Sequence, residues 1–358
     1  MVSDAGRSPG PGLSGKSGGT AGGSALSWRA MDTTVRANAW DDPRWQASAH
    51  RWVTERLTAH GTPPTGAIEE VRVRPWSVTH RVPTTAGVAW FKANTPGCAY
   101  EAGLAASLAA WAPGRVLAPL AVDASRGWLL TADAGPTLRE VVAKDRLLPT
   151  WTAMLQSYAA LQRDLAAHTL EMLAQGVPDH RPQHLPARLT ALLADPRIQA
   201  DLGPDRQAAV NEVATDVAGW CAELSADGIP ATLQHDDLTD ANVFPDGDRF
   251  RFFDWGDSSV AHPFGSLLVA IGFAAYLLEL DPGVPERDRL RDAYLEPWTD
   301  LARPAGLRRS ASLACRVTRV SKALAWQRAL HEPAVPVDPD VRTAVADWLG
   351  ELTEPPPL

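Results

Sequence analysis

The chain has 358 residues, a length that favours two folded units over one small domain. Hydrophobic residues make up 45% and charged residues 21%, proportions of an ordinary soluble protein that can bury a sizeable core. The 34 Lys and Arg residues against 42 Asp and Glu residues give a formal charge of -8, which argues against nucleic acid or an anionic membrane as a partner.

The three cysteines stand far apart, at positions 98, 221 and 315. Their spacing fits neither a disulfide framework nor a zinc site, so we expect reduced thiols and a cytoplasmic protein. The longest apolar run, residues 267–278, is shorter than the roughly 18 to 20 residues that span a bilayer, and it predicts a core helix. No basic stretch followed by an apolar one opens the chain, so a secretory signal is not expected.

Hydrophobic periodicity and turn signals divide the chain into five stretches. In chain order these are a disordered leader, an N-terminal helical segment, a β-rich unit, a mainly helical unit and a tail: residues 1–27, 28–61, 62–135, 136–353 and 354–358. The leader is rich in glycine, serine and proline and is therefore expected to be disordered. The helical segment contains one amphipathic helix, predicted over residues 41–60.

The β-rich unit contains short runs of β-branched and aromatic residues separated by turns. These runs predict five strands, over residues 68–74, 79–82, 88–92, 116–122 and 128–131. Alanines and leucines over residues 100–111 predict a single helix between the third and fourth strands. The unit is therefore expected to be a small sheet with one helix.

The rest of the chain is mainly helical. Helices are predicted over residues 137–143, 150–175, 185–194, 206–226, 264–280, 286–301, 310–330 and 338–352. A strand-like island interrupts them, with short strands at residues 231–234, 242–244 and 250–253 and a turn over residues 245–248. The residues with the clearest chemical pattern cluster in this island.

The island contains an ordered set of polar side chains. His235, Asp237 and Asn242 have the spacing H-x-D-x-x-x-x-N, and the apolar strand after the hairpin ends in Asp254. A loop between Asp237 and Asn242 can present one oxygen to an acceptor hydroxyl and another to a metal, while the hairpin returns Asp254 to that metal. Carboxylate and amide oxygens are the ligands that Mg²⁺ prefers. The pattern predicts phosphoryl transfer.

The motif resembles that of the aminoglycoside phosphotransferases and choline kinase-like enzymes, relatives of protein kinases in which H-G-D-x-x-x-x-N is followed by I-D-[WF]. The resemblance implies an α+β, protein kinase-like bilobal fold, with a small β-rich N-lobe containing one helix and a larger, mainly α C-lobe. It makes Asp237 the catalytic residue and Asn242 and Asp254 the Mg²⁺ ligands. The phosphate donor would be ATP or, as the less favoured option, GTP. His235 is expected to brace the loop through hydrogen bonds.

A kinase-like fold also needs a lysine on a strand and a glutamate on a helix to hold it. Lys92 ends the third predicted strand, and Glu101 stands at the start of the helix that follows. The resemblance makes Lys92 the contact to the α- and β-phosphates and Glu101 its ion-pair partner.

Other residues of the β-rich unit are expected to contact the nucleotide. The connection between the first two strands, residues 74–81, contains no glycine, so the hydroxyls of Ser77 and Thr79 could donate to phosphate in place of backbone amides; a plain loop is equally compatible. Residues 128–135, which include Thr131 and Asp133, resemble the strand and hinge whose backbone pairs with adenine in the family.

Four positions depart from the family pattern, one of them Ala241, which with Asp240 replaces a common Pro-Gly. Asp236 replaces the small residue of H-G-D, Asp240 stands where proline is common, and Ser266 replaces the second Asp of G-D-P-x-x-D-L. The last change bears on a structural brace more than on the chemistry. The excess of acidic residues could favour a cationic substrate or a second metal, or could be surface charge.

Only eight residues, 255–262, separate Asp254 from Pro263 and the core helix. This leaves no room for the activation segment with which protein kinases dock peptides, so a small hydroxylated molecule is the expected acceptor. Two other classes stay open: a catalytically silent nucleotide-binding module, and a metal-dependent phosphohydrolase using His235 and Asp236. The sequence does not decide between a monomer and a homodimer.

Overall fold

The structure is a computed structural model that describes residues 39–358, and the predicted leader, residues 1–27, lies outside the described residues. Helix α1, Pro43–Ala59, lies within the predicted bounds of 41–60. The Asp42 side chain caps it by accepting a hydrogen bond from the backbone N–H of Arg44 at 2.8 Å. Gly61, with a φ of 82°, follows the helix in the left-handed conformation that glycine adopts without strain.

A five-stranded antiparallel sheet follows, in the order β1-β2-β3-β5-β4. The strands β1 to β5 are Glu69–Val73, Ser77–Thr84, Gly87–Asn94, Pro119–Asp123 and Trp128–Ala132. Helix α2, Tyr100–Trp111, lies between β3 and β4 and matches its predicted bounds. The predicted β4 began at residue 116, but Val116 instead makes an isolated bridge to Phe252 on a distant hairpin.

The two faces of this sheet have different surroundings. Val78, Phe91 and Leu130 are buried on one face, where Trp52 of α1 lies 5.9 Å from the Phe91 ring. Side chains alternate between the faces along a strand, so Lys92 points from the face opposite α1. We call that face the inner face.

Ten α-helices follow the sheet in the described chain. Helices α3 to α12 are Leu138–Val141, Leu147–Leu165, Thr169–Ala174, Leu185–Leu193, Pro196–Ala226, Leu267–Leu278, Pro285–Leu295, Pro304–Ala329, Pro339–Arg342 and Ala344–Gly350. Within residues 39–358, none of the helices combines the length and the apolar character needed to cross a membrane. We call residues 39–132 the sheet region and residues 138–353 the helical region.

Several predicted helices have different bounds in the structure. Helix α9 ends at Leu295, six residues before its predicted end, and α10 starts at Pro304, six residues before its predicted start. The helix predicted over 150–175 is broken by a 3-10 turn at Ala166–His168, and the last one is interrupted at position 343. Helix α7 starts ten residues before the predicted 206, because Asp195 caps it and Pro196 occupies its first turn. Its backbone leaves the helical conformation at Gly203, next to Pro204, which explains why the sequence pattern appeared to start later.

The strand-like island forms two small sheets. Strands β7, Val243–Asp246, and β8, Arg249–Phe252, make the predicted hairpin. Strand β6, Thr232–Gln234, pairs with β9, Ser259–Ala261, which the sequence did not predict because three residues carry too little pattern. The three cysteines are free, and all three are buried.

Candidate active site

The sheet region contributes an ion pair between β3 and α2. The Lys92 Nζ atom lies 2.7 Å from Oε2 and 2.9 Å from Oε1 of Glu101. Glu101 is 1% exposed, and its Oε2 also accepts a hydrogen bond from Nδ2 of Asn94 at 2.8 Å. The lysine is fixed by strand register and the glutamate by the first turn of α2, so the pair depends on how the helix packs on the sheet.

The same lysine reaches the helical region. Its Nζ lies 2.6 Å from Oδ1 of Asp254, which directly follows Phe253 after β8. Asp254 has a φ of 65° and a ψ of 65°, a left-handed conformation that is costly for a residue with a Cβ. Gly256 follows closely, and a Cβ there would lie 3.1 Å from Oε2 of Glu101. The turn after β8 therefore needs glycine where it approaches the ion pair.

The loop between β6 and β7 holds the other predicted residues. Nδ2 of Asn242 donates to Oδ2 of Asp237 and to its backbone carbonyl, both at 2.8 Å. The backbone N–H of Asp237 donates to Nδ1 of His235 at 3.2 Å, while Nε2 of His235 lies 3.0 Å from the carbonyl oxygen of Phe253. A neutral His235 with its proton on Nε2 satisfies both contacts, and burial lowers its pKa. His235 thus connects this loop to the residue before Asp254.

Side chains from distant helices support the backbone of this loop. Ser266 Oγ accepts from the His235 N–H at 3.2 Å, so the residue that replaces the family's Asp still contacts the loop. Gln162 of α4 donates to the carbonyl of Leu233 at 2.8 Å, and Lys322 of α10 donates to the carbonyl of Asp236 at 2.8 Å. Sequence reasoning missed Gln162 and Lys322, because neither lies near the motif along the chain.

Two of the additional acidic residues have partners inside the fold. The Asp236 side chain is buried and accepts hydrogen bonds from Gln234 and Ser259. Asp240 is 3% exposed and accepts two hydrogen bonds from Arg139 of α3, at 2.8 and 2.9 Å. They are neither surface charges nor open to a substrate. Asp237, Asp254 and Asp257, in contrast, are partly exposed.

Burial and neighbouring charges give the carboxylates of the site different pKa values. Burial raises the pKa of Asp237 to about 6, against the opposing charge of Lys322. Burial also acts to raise the pKa of Asp254, but the charges of Lys92 and Arg72 outweigh it and hold that pKa at about 2. For Lys92, burial favours the neutral amine, yet Asp254 and Glu101 together raise its pKa above the usual range. At neutral pH Lys92 and Asp254 are therefore both ionised, and Asp237 can both accept and return a proton.

The predicted nucleotide contacts lie along the inner face and the strand end beyond it. Ser77 and Thr79 lie in strand β2, not in a loop, since the β-branched run extends the pairing back to residue 77. Thr131 is buried in β5, and the exposed Asp133 follows that strand. Trp90 pairs across the strands with Thr131, and its indole N–H donates to Asp133 Oδ1 at 3.2 Å. The sequence analysis missed Trp90, although alternation puts it on the face of Lys92.

Asn242 and Asp254 suit a magnesium ion by chemistry and position. The register pairs Val243 with Phe252, so the two residues lie just beyond the paired ends of neighbouring strands. The Asn242 amide nitrogen is engaged by Asp237, which leaves its Oδ1 for a cation. No group of three or more His, Cys, Asp or Glu ligands occurs within residues 39–358. Two protein oxygens fit Mg²⁺, which takes its other ligands from water and phosphate.

Comparisons with known proteins give matches in structure only. No family model matches the chain, and no curated protein matches it. A macrolide 2'-phosphotransferase from Brachybacterium faecium aligns with a TM-score of 0.53 at 19% identity, over 83% of this chain and 97% of that one. An ethanolamine kinase from Plasmodium vivax aligns with a TM-score of 0.58 at 12% identity, over 87% and 88%. The chain shares their fold.

One further neighbour was solved with ligands. An aminoglycoside phosphotransferase, in a ternary complex with AMP-PNP and hygromycin B, aligns with a TM-score of 0.50 at 16% identity, over 86% of this chain and 97% of that one. The three neighbours are similar to the chain along most of its length, so the likeness covers both the sheet region and the helical region. The resemblance predicted from the island and Lys92 is confirmed for the fold.

Proposed function

We propose that the chain is a cytoplasmic small-molecule kinase of bilobal, kinase-like architecture, which transfers the γ-phosphate of ATP to a hydroxyl group. The N-lobe is assigned to residues 62–135 and the C-lobe to residues 136–353. One observation carries the proposal: Lys92 Nζ lies within 2.9 Å of carboxylate oxygens of both Glu101 and Asp254, which are 153 positions apart in the sequence. A cation shared by two elements in this way matches the arrangement that cradles a nucleotide in kinases.

ATP is the proposed donor. AMP-PNP, an analogue of ATP, is bound in the aminoglycoside phosphotransferase of like fold. Lys92 would contact the α- and β-phosphates, and Asn242 and Asp254 would hold Mg²⁺, which when bound neutralises charge on the phosphate oxygens. The partly exposed indole of Trp90, with Thr131 and Asp133 beside it, offers a surface on which a base can stack.

Asp237 is the proposed catalytic residue. Its Oδ2 is oriented by Asn242 at 2.8 Å, and its pKa of about 6 makes the carboxylate a competent base at neutral pH. The acceptor hydroxyl would donate a hydrogen bond to this carboxylate, which aligns its oxygen with the γ-phosphorus. As the new P–O bond forms, the bond from the γ-phosphorus to the bridging oxygen breaks, ADP leaves with that electron pair, and the hydroxyl proton passes to Asp237.

The acceptor is proposed to be a small hydroxylated molecule. Only residues 255–262 separate Asp254 from Pro263, which is too short a segment to dock a peptide. The neighbours of like fold act on macrolides, aminoglycosides and ethanolamine, and these classes define the first acceptor panel. A cationic amine on the acceptor would suit the partly exposed carboxylates of Asp237 and Asp257.

Acceptor-dependent release of ADP tests the proposal. We expect the purified chain with Mg-ATP to release ADP when a panel compound is added, and the product to gain one phosphate by mass. The double variant Lys92→Met/Glu101→Gln is the control, because it leaves no buried Glu101 carboxylate without its cation and should fold but fail to turn over nucleotide. Phosphate release without acceptor that survives loss of Lys92 and Asn242 would identify a hydrolase instead.

A silent nucleotide-binding module is the second candidate, favoured by the absence of glycine from the connection between β1 and β2. It predicts that calorimetry detects Mg-ATP binding while no panel compound becomes phosphorylated. Transfer to any acceptor excludes it.

A further inference from the structure

A bulge in β1 decides which of its side chains reach the inner face. Glu70 pairs with His80, but the next pairing is Arg72 with Thr79, so Val71 is an extra residue in the strand. Without the bulge, Val71 would stand opposite Thr79 and Arg72 would point to the other face. The extra residue therefore turns the arginine, instead of the valine, towards the inner face.

Arg72 becomes the end of a row that crosses three strands. Thr79, its partner on β2, pairs in turn with Lys92 on β3. Directly opposed residues in antiparallel strands project from the same face with their Cβ atoms about 4.5–5.5 Å apart. The side chains of Arg72, Thr79 and Lys92 therefore lie side by side, and the last of them binds Asp254.

Arg72 projects from the inner face, and no carboxylate of the described residues forms a salt bridge with it. The residue is exposed, and its guanidinium has no hydrogen bond or salt bridge within residues 39–358. Its row leads to Lys92, whose Nζ lies 2.6 Å from Oδ1 of Asp254. Arg81, two residues along from Thr79, differs because Glu69 pairs with it at 3.5 Å.

Thr79 has an unused hydroxyl between the two cations. Its Oγ1 is buried and lacks a hydrogen-bond partner among the described residues. Buried hydroxyls are normally paired, so an unpaired one beside Arg72 and Lys92 indicates a group supplied from outside the chain. A group that accepts hydrogen bonds from two cations and a hydroxyl is an anion.

The connection between β1 and β2 cannot provide the backbone amides that usually hold such an anion. Residues 74–76 contain no glycine, and the N–H of Arg74 is already bonded to the carbonyl of Ser77 at 2.8 Å. The Trp76 ring packs edge-on against Trp326 of α10 at 5.3 Å, and its carbonyl accepts from Thr95 at 2.9 Å. This connection is tied to its neighbours and is not a loop free to wrap around phosphate.

We propose that Arg72 and Thr79 bind the triphosphate of the nucleotide with their side chains, in place of the backbone amides of a glycine-rich loop. The inference rests on the proposed function and specifies how that site holds its donor. A guanidinium offers a planar fork of donors that matches phosphate oxygens, and the Thr79 hydroxyl adds one donor between Arg72 and Lys92.

Calorimetric titration with Mg-ATP and with adenosine tests the proposal. Arg72→Gln should raise the Kd for Mg-ATP about 10- to 100-fold, the value of a charge-assisted hydrogen bond, while the Kd for adenosine stays within about twofold. Arg72→Lys, which keeps the charge and loses the fork, should recover part of the affinity. Thr79→Val should raise the Kd for Mg-ATP several-fold. Arg51→Gln, on the exposed side of α1, is the control for the change in net charge.

The outcomes separate this proposal from the proposed function. If the wild-type chain transfers phosphate while Arg72→Gln and Arg72→Lys bind Mg-ATP as tightly as wild type, the role of Arg72 is refuted and the kinase assignment stands. An equal loss of Mg-ATP and adenosine affinity would also refute it, because the residue would then support the fold instead of the phosphates. If wild type neither binds nor turns over Mg-ATP, the proposed function fails and this inference falls with it.

Discussion

The sheet region and the helical region hold their site residues in different ways. Lys92 and Glu101 sit on regular elements, where strand register and a helix turn fix them. Asp237 and Asn242 sit on a loop, and His235, Ser266 and other side chains from the surrounding elements hold its backbone. The two sets meet at one contact of 2.6 Å, between Lys92 Nζ and Asp254 Oδ1.

Because of this difference, the two sets of site residues are sensitive to different substitutions. A residue on a strand depends on its neighbours in the ladder, so one extra residue such as Val71 changes which side chain faces the site. A residue on a loop depends on buried polar contacts, which cost free energy when one partner is removed. Substitutions in each region should therefore affect stability and catalysis in different proportions.

The largest effect is expected from the loop. Asp237→Ala should lower kcat by about 10² to 10⁴, because the group that orients the acceptor and takes its proton is gone. The free energy of unfolding and the Kd for Mg-ATP should change little, since the nucleotide is held mainly by other residues. Acceptor-dependent ADP release and urea unfolding measure the two quantities.

Asp248→Ala is the matched control for that variant, because Asp248 is exposed in the neighbouring hairpin turn. It should behave as wild type. Unchanged turnover in Asp237→Ala would remove Asp237 from the catalytic role.

The ion pair of the sheet region should affect stability more strongly. Lys92→Met leaves the buried Glu101 carboxylate without its cation, which should lower the free energy of unfolding by about 3–5 kcal/mol. The double variant Lys92→Met/Glu101→Gln removes the unpaired charge and should regain most of that stability without regaining turnover. Denaturant unfolding of wild type, Lys92→Met, Glu101→Gln and the double variant checks the prediction, and a Lys92→Met variant as stable as wild type contradicts it.

The contact between the regions is expected to be sensitive to a single methyl group. Gly256→Ala places a Cβ 3.1 Å from Glu101 Oε2, so the ion pair must shift, at a cost of about 1–3 kcal/mol in unfolding free energy. Gly272→Ala in α8 is the control, since a Cβ there meets nothing within 4 Å and alanine should stabilise the helix by about 0.5–1 kcal/mol. Equal behaviour of the two variants would show that the approach of Gly256 to Glu101 is not tight.

The smallest expected effect is the change of kcat/KM with pH. Asp237 acts as a carboxylate, and burial raises its pKa to about 6, so activity is present above that pH and falls about tenfold for each unit below it. Asp254, with a pKa of about 2, does not titrate in this window. A fall of kcat/KM centred near pH 4, the ordinary range of an aspartate, would show that burial does not raise the pKa of Asp237 in the free enzyme.

Much of the site followed from local spacing in the sequence. The order of His235, Asp237 and Asn242, with Asp254 after a hairpin, predicted residues that the fold brings together. The strand that contains Lys92 and the helix that begins near Glu101 were also predicted, and the fold brings the two side chains within 2.9 Å. Such features depend on residues close together in the chain, so the spacing of residue types along the sequence is enough to predict them.

Other parts of the site could not be predicted because their causes lie far apart in the chain. Ser259 is 23 positions from the Asp236 carboxylate to which it donates, and Arg139 is 101 positions from the Asp240 carboxylate. Both acidic residues appeared to be available for a ligand, yet the fold had already given them partners. Nothing in the local sequence distinguishes a paired buried carboxylate from a free one.

The sequence by itself determined the elements, the order of the motif and the chemical character of the side chains that carry it, because these depend on periodicity and local spacing. Only the tertiary structure decided that the bulge at Val71 turns Arg72 towards the site, and that Asp236 and Asp240 are occupied while Asp237 is open. The physical reason is that charge pairing and solvent exposure depend on distances in space, which elements remote in the chain set only when they pack together.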